Sequence, residues 1–161
     1  MGFDLSGMNP KINKPDTEYE YYRHDMVDIV KHSDGFQRKY FNEMEEYHEA
    51  NPGVYFRNNV WWWRPLWEFV IDQCQDFMTK EQIKGGCFND GQEINQKTAA
   101  LIGAKLKISV IDGTVDKYAK SHEKERKAKD KDDFDSNYPF DTNNVKHFAE
   151  FCLQSGGFII C

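Results

Sequence analysis

Apolar and polar positions along the chain fall into short runs of different spacing, and each spacing predicts an element. Met1-Gly2-Phe3-Asp4-Leu5 alternates and stops at the turn formers Ser6-Gly7-Met8-Asn9-Pro10, which reads as a strand and then a loop. Residues 11–16 are linker-like, and Pro15 excludes a continuous element there. Met26, Val27, Ile29 and Val30 suggest a short helix, broken at Ser33-Asp34-Gly35. Phe36, Tyr40, Phe41, Met44 and Tyr47 then trace one apolar face of a second helix, which Asn51-Pro52-Gly53 ends. Residues 17–51 are otherwise dense in Glu, Tyr, Lys and His, so this pair reads as a two-helix insertion lying on the domain.

Tyr55 to Trp67 is the most unusual run, with all four tryptophans and both Arg57 and Arg64. Pro65 lacks an N–H and disfavours helical geometry at Arg64, so two readings stand. Residues 55–63 are extended and a helix begins with Pro65 in its first turn, or Asn58 or Asn59 caps a helix that bends at Pro65. Either way the helix continues through Leu66, Trp67, Phe69, Val70, Ile71 and Cys74 to about Met78. Sorted by face, Val60, Trp63, Trp67, Val70, Ile71 and Cys74 point inward. Three consecutive indoles diverge by about 100° each, so they cannot share one core, and Trp61 is left over beside Arg57 and Arg64.

Farther on, Thr79 is a helix cap, Gly85-Gly86 a stop and Asn89-Asp90-Gly91 a tight turn. A helix is expected from Ile94 or Asn95, with Thr98, Leu101, Ile102, Lys105 and Ile108 inward, broken at Asp112-Gly113. Residues 115–129 form a charged helix without an apolar stripe, and 120–136 read as its solvated end and a loop. Asp141 or Thr142 caps a last helix whose Val145, Phe148, Ala149, Cys152 and Leu153 make a stripe. Gly156-Gly157 ends it with a left-handed cap, and Phe158-Ile159-Ile160 is a short strand. Pairing of the two chain ends gives the expected fold: mainly α with a small β element (α+β), one compact domain over 1–161.

Composition narrows what such a domain does. A net charge of −6 disfavours non-specific nucleic-acid and anionic-membrane binding. No run is long and apolar enough for a membrane span, and the N-terminus lacks a signal-peptide pattern, so a cytoplasmic protein is expected. Cys74, Cys87, Cys152 and Cys161 have no metal-ligand spacing and read as buried or free thiols. Nor do the five histidines form a metal motif, so no metal and no cofactor is expected, and no catalytic residue can be named. Asp4, on the first strand, is the most notable carboxylate, since strand ends often reach a site, and its plainer assignment is a cap for a neighbouring loop.

A tryptophan between two arginines is the chemistry of a nucleotide-like ligand, the indole stacking on a base and the guanidinium groups gripping phosphate. The candidate ligand-binding residues are therefore Arg57, Asn58, Asn59, Trp61 and Arg64, the asparagines reading the edges of a base. Asn89 and Asp90 join them, because their turn precedes a helix whose N-terminus would favour an anion. The bland alternative pairs the arginines with Glu68, Asp72 or other acids and packs Trp61 under the inserted lobe.

Taken together, Met1-Gly2-Phe3-Asp4-Leu5 with Asn9-Pro10-Lys11, Tyr55 through Trp67, Asn89-Asp90-Gly91, Asn137-Tyr138-Pro139-Phe140 running to Phe148-Ala149-Glu150-Phe151-Cys152, and Ser155-Gly156-Gly157-Phe158 to Cys161 resemble an uncharacterised family of small bacterial and bacteriophage proteins. The resemblance covers about two thirds of the chain and leaves out 17–51, which it implies is an insertion. Members often carry a cysteine-rich, zinc-knuckle-like segment before the Tyr-Pro-Phe motif. This chain has charged residues there, so no metal role carries over. The resemblance implies a phage or bacterial cytoplasmic setting and supplies no reaction. The resulting expectation is a non-enzymatic cytoplasmic protein that binds a small polar or nucleotide-like ligand, in a phage setting by sequestering a host defence signal. One alternative is an interaction module for a host or phage protein, using the inserted lobe and the charged helix. A further alternative is a nucleotide-directed hydrolase or transferase.

Overall fold

The computed structural model describes residues 2–130 and 133–161. Its sheet is antiparallel with strand order β2-β1-β4-β3, formed by β1 (Gly2–Gly7), β2 (Tyr55–Asn59), β3 (Gln92–Asn95) and β4 (Gly157–Ile160). The chain ends do pair, Leu5 opposite Ile160 and Ser6 opposite Ile159. Two further strands extend the sheet, and β3 occupies residues expected to open a helix. Ile94 shows why: buried on β3 and paired with Phe158, it joins the apolar face made by Phe3, Leu5, Phe158 and Ile160. A four-residue strand has too few alternations to announce itself in sequence.

The central run resolves as a hybrid of its two readings. It is extended to Asn59, and α3 (Val60–Cys74) follows, with the Asn59 carboxamide oxygen accepting from Trp61 and Trp62 N–H at 3.1 and 3.2 Å. Pro65 sits in the second turn of this helix and is buried. The lost hydrogen bond is offset by packing, since Trp63, Leu66, Trp67, Phe69, Val70 and Cys74 are all buried. Over the same face of the sheet lie α5 (Gln96–Ile111) and α7 (Thr142–Gln154), the latter capped by Asp141 on Asn143 N–H.

Two inward faces differ from the spacing-based expectation. In α5 the buried side is Thr98, Ala99, Ile102, Gly103, Leu106 and Ser109, while Leu101 and Ile108 are exposed. Close approach to α7 decides this: a Cβ on Gly103 would come within 2.8 Å of the Ala149 carbonyl and 2.7 Å of Leu153 Cγ. Gly103 therefore has to face the neighbour, and with Ile102 and Leu106 it turns the helix so that Leu101 and Ile108 point outward. Likewise α6 (Thr114–Ala128) is not a bare charged helix, because Val115 is buried and Tyr118, Ala119 and His122 are half-buried. Tyr118 meets Phe69 and Phe140 with ring centroids 4.8 Å away from each. Of the expected loop after it, Lys131 and Asp132 lie outside the described residues.

Residues 16–50 form a lobe with its own small core. After the short α1 (Met26–Ile29), α2 (Asp34–Ala50) buries Tyr40 and Tyr47 against Tyr19 and Tyr21 and leaves Phe41 exposed. Buried Asn51 anchors it: its side-chain oxygen accepts from Asn13 and Lys14 N–H, and its amide donates to the Lys14 and Tyr47 carbonyls.

Candidate functional site

Trp63 and Trp67, one turn apart on α3, stack at 5.3 Å, and Phe3 continues the stack at 5.2 Å. Their polar edges are met by the short helix α4 (Lys80–Gly85), which Thr79 caps through a reciprocal bond with Gln82. Trp63 Nε1 donates to the Gly86 carbonyl at 2.8 Å and Trp67 Nε1 to that of Ile83 at 3.0 Å. Both indole donors are thus satisfied inside the core. Outside this contact lies a cleft of about 280 Å³, lined by the two tryptophans, Arg64, Glu68, Cys87 and the half-exposed Phe88.

Arg64 and Glu68 also border a second, smaller cavity of about 110 Å³ with Pro65, His122, Lys129 and Tyr138. Its walls are mostly polar groups, two of them cationic. Among the described residues Arg64 has no carboxylate at ion-pair distance; its guanidinium lies 5.7 Å over the Tyr138 ring. Burial holds His122 below the usual histidine range, against the opposing pull of Glu68, and its buried Nδ1 has no hydrogen-bond partner. A buried polar atom without a partner is uncommon and calls for a specific cause.

The seven residues singled out from sequence separate in space. Trp61 is half-buried and packs on Phe134 and Tyr138, each with its ring centroid 5.1 Å away. It lies neither under the inserted lobe nor at the head of the three indoles in exposure, since Trp62 is the one 37% exposed. Arg57 stands across the sheet from Asp4 and pairs with it at 3.5 Å, while Tyr55 Oη donates to the same carboxylate. Asp4 is therefore engaged by its neighbouring strand. Asn58 donates to Asn144 Oδ1 at 2.9 Å, Asn59 caps α3, and Asn89 donates to the Gly2 carbonyl at 3.1 Å. Asp90 is exposed in a turn that leads into β3, so it does not stand at a helix N-terminus; the α5 N-terminus is capped instead by Asn95 on Thr98 N–H. Arg64 alone of the seven borders the paired cavities.

Glu68, expected as an ion-pair partner for the arginines, borders both cavities with Arg64, whereas His122, Lys129 and Tyr138 come from elements that the sequence does not connect to it. The only signals were local: Glu68 follows Arg64 by one turn, and Tyr138 belongs to the Asn-Tyr-Pro-Phe motif. Cys87, the thiol in the cleft, is held above the ordinary thiol range by burial, eased by Arg64 and reinforced by Glu68. Its thiolate is scarce at neutral pH, so it is a weak nucleophile. Among the described residues no group of three or more His, Cys, Asp or Glu is placed to hold a metal ion, and no helix is long and apolar enough to cross a membrane. No protein-family model, curated protein or solved structure matches the chain.

Proposed function

We propose that the protein binds, without turning over, a small nucleotide-like ligand held at Arg64. The observation that carries this is that Arg64 and Glu68 border two cavities of different character, one lined largely by aromatic rings and one by polar side chains that include Arg64 and Lys129. A base fits the first by stacking on the half-exposed Phe88 ring, above a floor closed by the buried Trp63 and Trp67, and such stacking tolerates any heterocycle. Its phosphate fits the second, with Arg64 offering a planar fork of donors and His122 and Lys129 beside it. Glu68, acceptor-only when ionised, suits ribose hydroxyls or exocyclic amines. A binder of this kind, in a phage or bacterial cytoplasm, would withhold a signalling nucleotide from other proteins.

The test is thermal shift against mono- and cyclic nucleotides, the matching nucleosides and inorganic phosphate. A nucleotide at ~100 times its Kd stabilises the native state by about 2.7 kcal/mol. For a domain of this size that is a rise in Tm of about 5–11 °C. Arg64→Ala should abolish the rise, Phe88→Ala should reduce it, and nucleosides should act weakly. Absence of any rise across the panel sinks the proposal. Chromatography after overnight incubation should return the nucleotide intact; a product peak would instead favour a hydrolase or transferase.

A further inference from the structure

At the β2 edge of the sheet, residues of α2 in the lobe, of β2 and of α7 in the main domain line a groove of about 880 Å³. Its floor is apolar, with Phe41 43% exposed, beside Met44 and Phe56. Its rims are acidic. Glu45 and Glu49 follow one another by a turn on α2, and Glu150 faces them from α7. The one arginine at the groove, Arg57, is directed to Asp4, and Glu150 is shared between Lys107 at 3.4 Å and Gln154.

Like charges one turn apart on a helix repel, and carboxylates in its C-terminal half oppose the helix dipole. Glu45 and Glu49 stand one turn apart, and Glu49 lies in the last turn of α2, so neither carboxylate is favoured by its place on the helix. An apolar floor between negative rims is complementary to an amphipathic segment with apolar anchors and flanking cations. Nucleic acid and anionic lipid are repelled by the same rims, and a second copy carries the same net charge of −6. From this geometry we infer that the groove is a docking site for a lysine- or arginine-rich amphipathic segment of a partner protein. The site is separate from Arg64 and stands or falls independently of the nucleotide reading.

Fluorescence anisotropy with a labelled helical peptide of ~14 residues, leucine on one face and lysine on the other, tests this on the full chain. Saturable binding is expected, weakening roughly fivefold in Glu45→Gln/Glu49→Gln, a substitution on exposed positions that leaves the fold intact. Phe41→Ser should weaken it further. The control Glu93→Gln/Asp116→Asn changes net charge equally, away from the groove, and should have little effect. Equal losses in the two double variants mean attraction to overall charge and overturn the proposal, as does failure of the peptide to bind. A dimer in light scattering that Glu45→Gln/Glu49→Gln abolishes also overturns it, since the groove then serves a second copy.

Discussion

Replacing Gly86 with alanine should destabilise the protein through one identifiable collision. An added Cβ would lie 1.9 Å from Trp67 Cε2, 2.1 Å from Cζ2 and 2.4 Å from Nε1, so the contact must open by about 1.5 Å to reach ordinary packing at 3.4 Å. Gly86 has φ −66° and ψ −10°, a helical conformation that alanine adopts without strain. Were the site open, the substitution would stabilise by about 0.4–1 kcal/mol through the unfolded chain. The expected sign is the reverse. Overpacking a core costs ~1–3 kcal/mol. Displacing Gly86 or Trp67 also loosens the bonds from Trp63 to Gly86 and from Trp67 to Ile83, and each buried donor left unpaired costs ~1–3 kcal/mol. A loss of about 3 kcal/mol is therefore expected, seen as a lower urea midpoint at unchanged slope and a fall in Tm of about 6–12 °C. In a Trp67→Leu background the colliding ring is gone, so the added cost of Gly86→Ala should drop below ~1 kcal/mol. Stability within ~0.5 kcal/mol of wild type for Gly86→Ala alone would refute the packing described for this corner.

Other outcomes follow from the same structure. Asn59→Ala removes the acceptor for two N–H groups at the start of α3 and should cost about 1 kcal/mol in urea unfolding; a neutral result would contradict the cap. Cys74, pushed up to about 12 by burial, and Cys152, pushed well up by burial, should resist a thiol reagent at pH 8, while the exposed Cys161 reacts and Cys87, exposed but with a raised pKa, reacts more slowly. Rapid labelling of all four in the native state would argue against that core. Burial also lowers the pKa of His48 and His122, so as pH falls below about 6.5 the unfolded chain takes up these protons first. Their contribution is complete above that pH and declines toward their folded pKa values. The urea midpoint should fall from pH 7.5 to 5.5, less steeply in His48→Gln/His122→Gln, and an unchanged slope in that variant would exclude them as the source.

Local chemistry determined much of this protein without the aid of tertiary structure. The caps at Thr79 and Asp141, the breaks at Gly113 and Gly156-Gly157 and the stripe of α7 are short-range features, each satisfied within a few residues. The strong apolar content at both chain ends was likewise enough to place the terminal strands. What sequence could not decide was anything set by a neighbour distant along the chain. Ile94 became a strand residue because Phe158 lay opposite it, and α5 turned the face carrying Gly103 inward because α7 packs so closely there. Tertiary structure also divided the tryptophan-rich run. Trp63 and Trp67 went to a core closed by Gly86, and Trp61 was covered by Phe134 and Tyr138 from far along the chain. The two arginines parted because the chain changes from strand to helix at Asn59. Arg57 faces Asp4 across the sheet, and Arg64, one helical turn beyond Val60, faces the cavities bordered by Phe88 and His122. Periodicity assigns a side chain to a face within one element; only the packing of elements determines what that face meets.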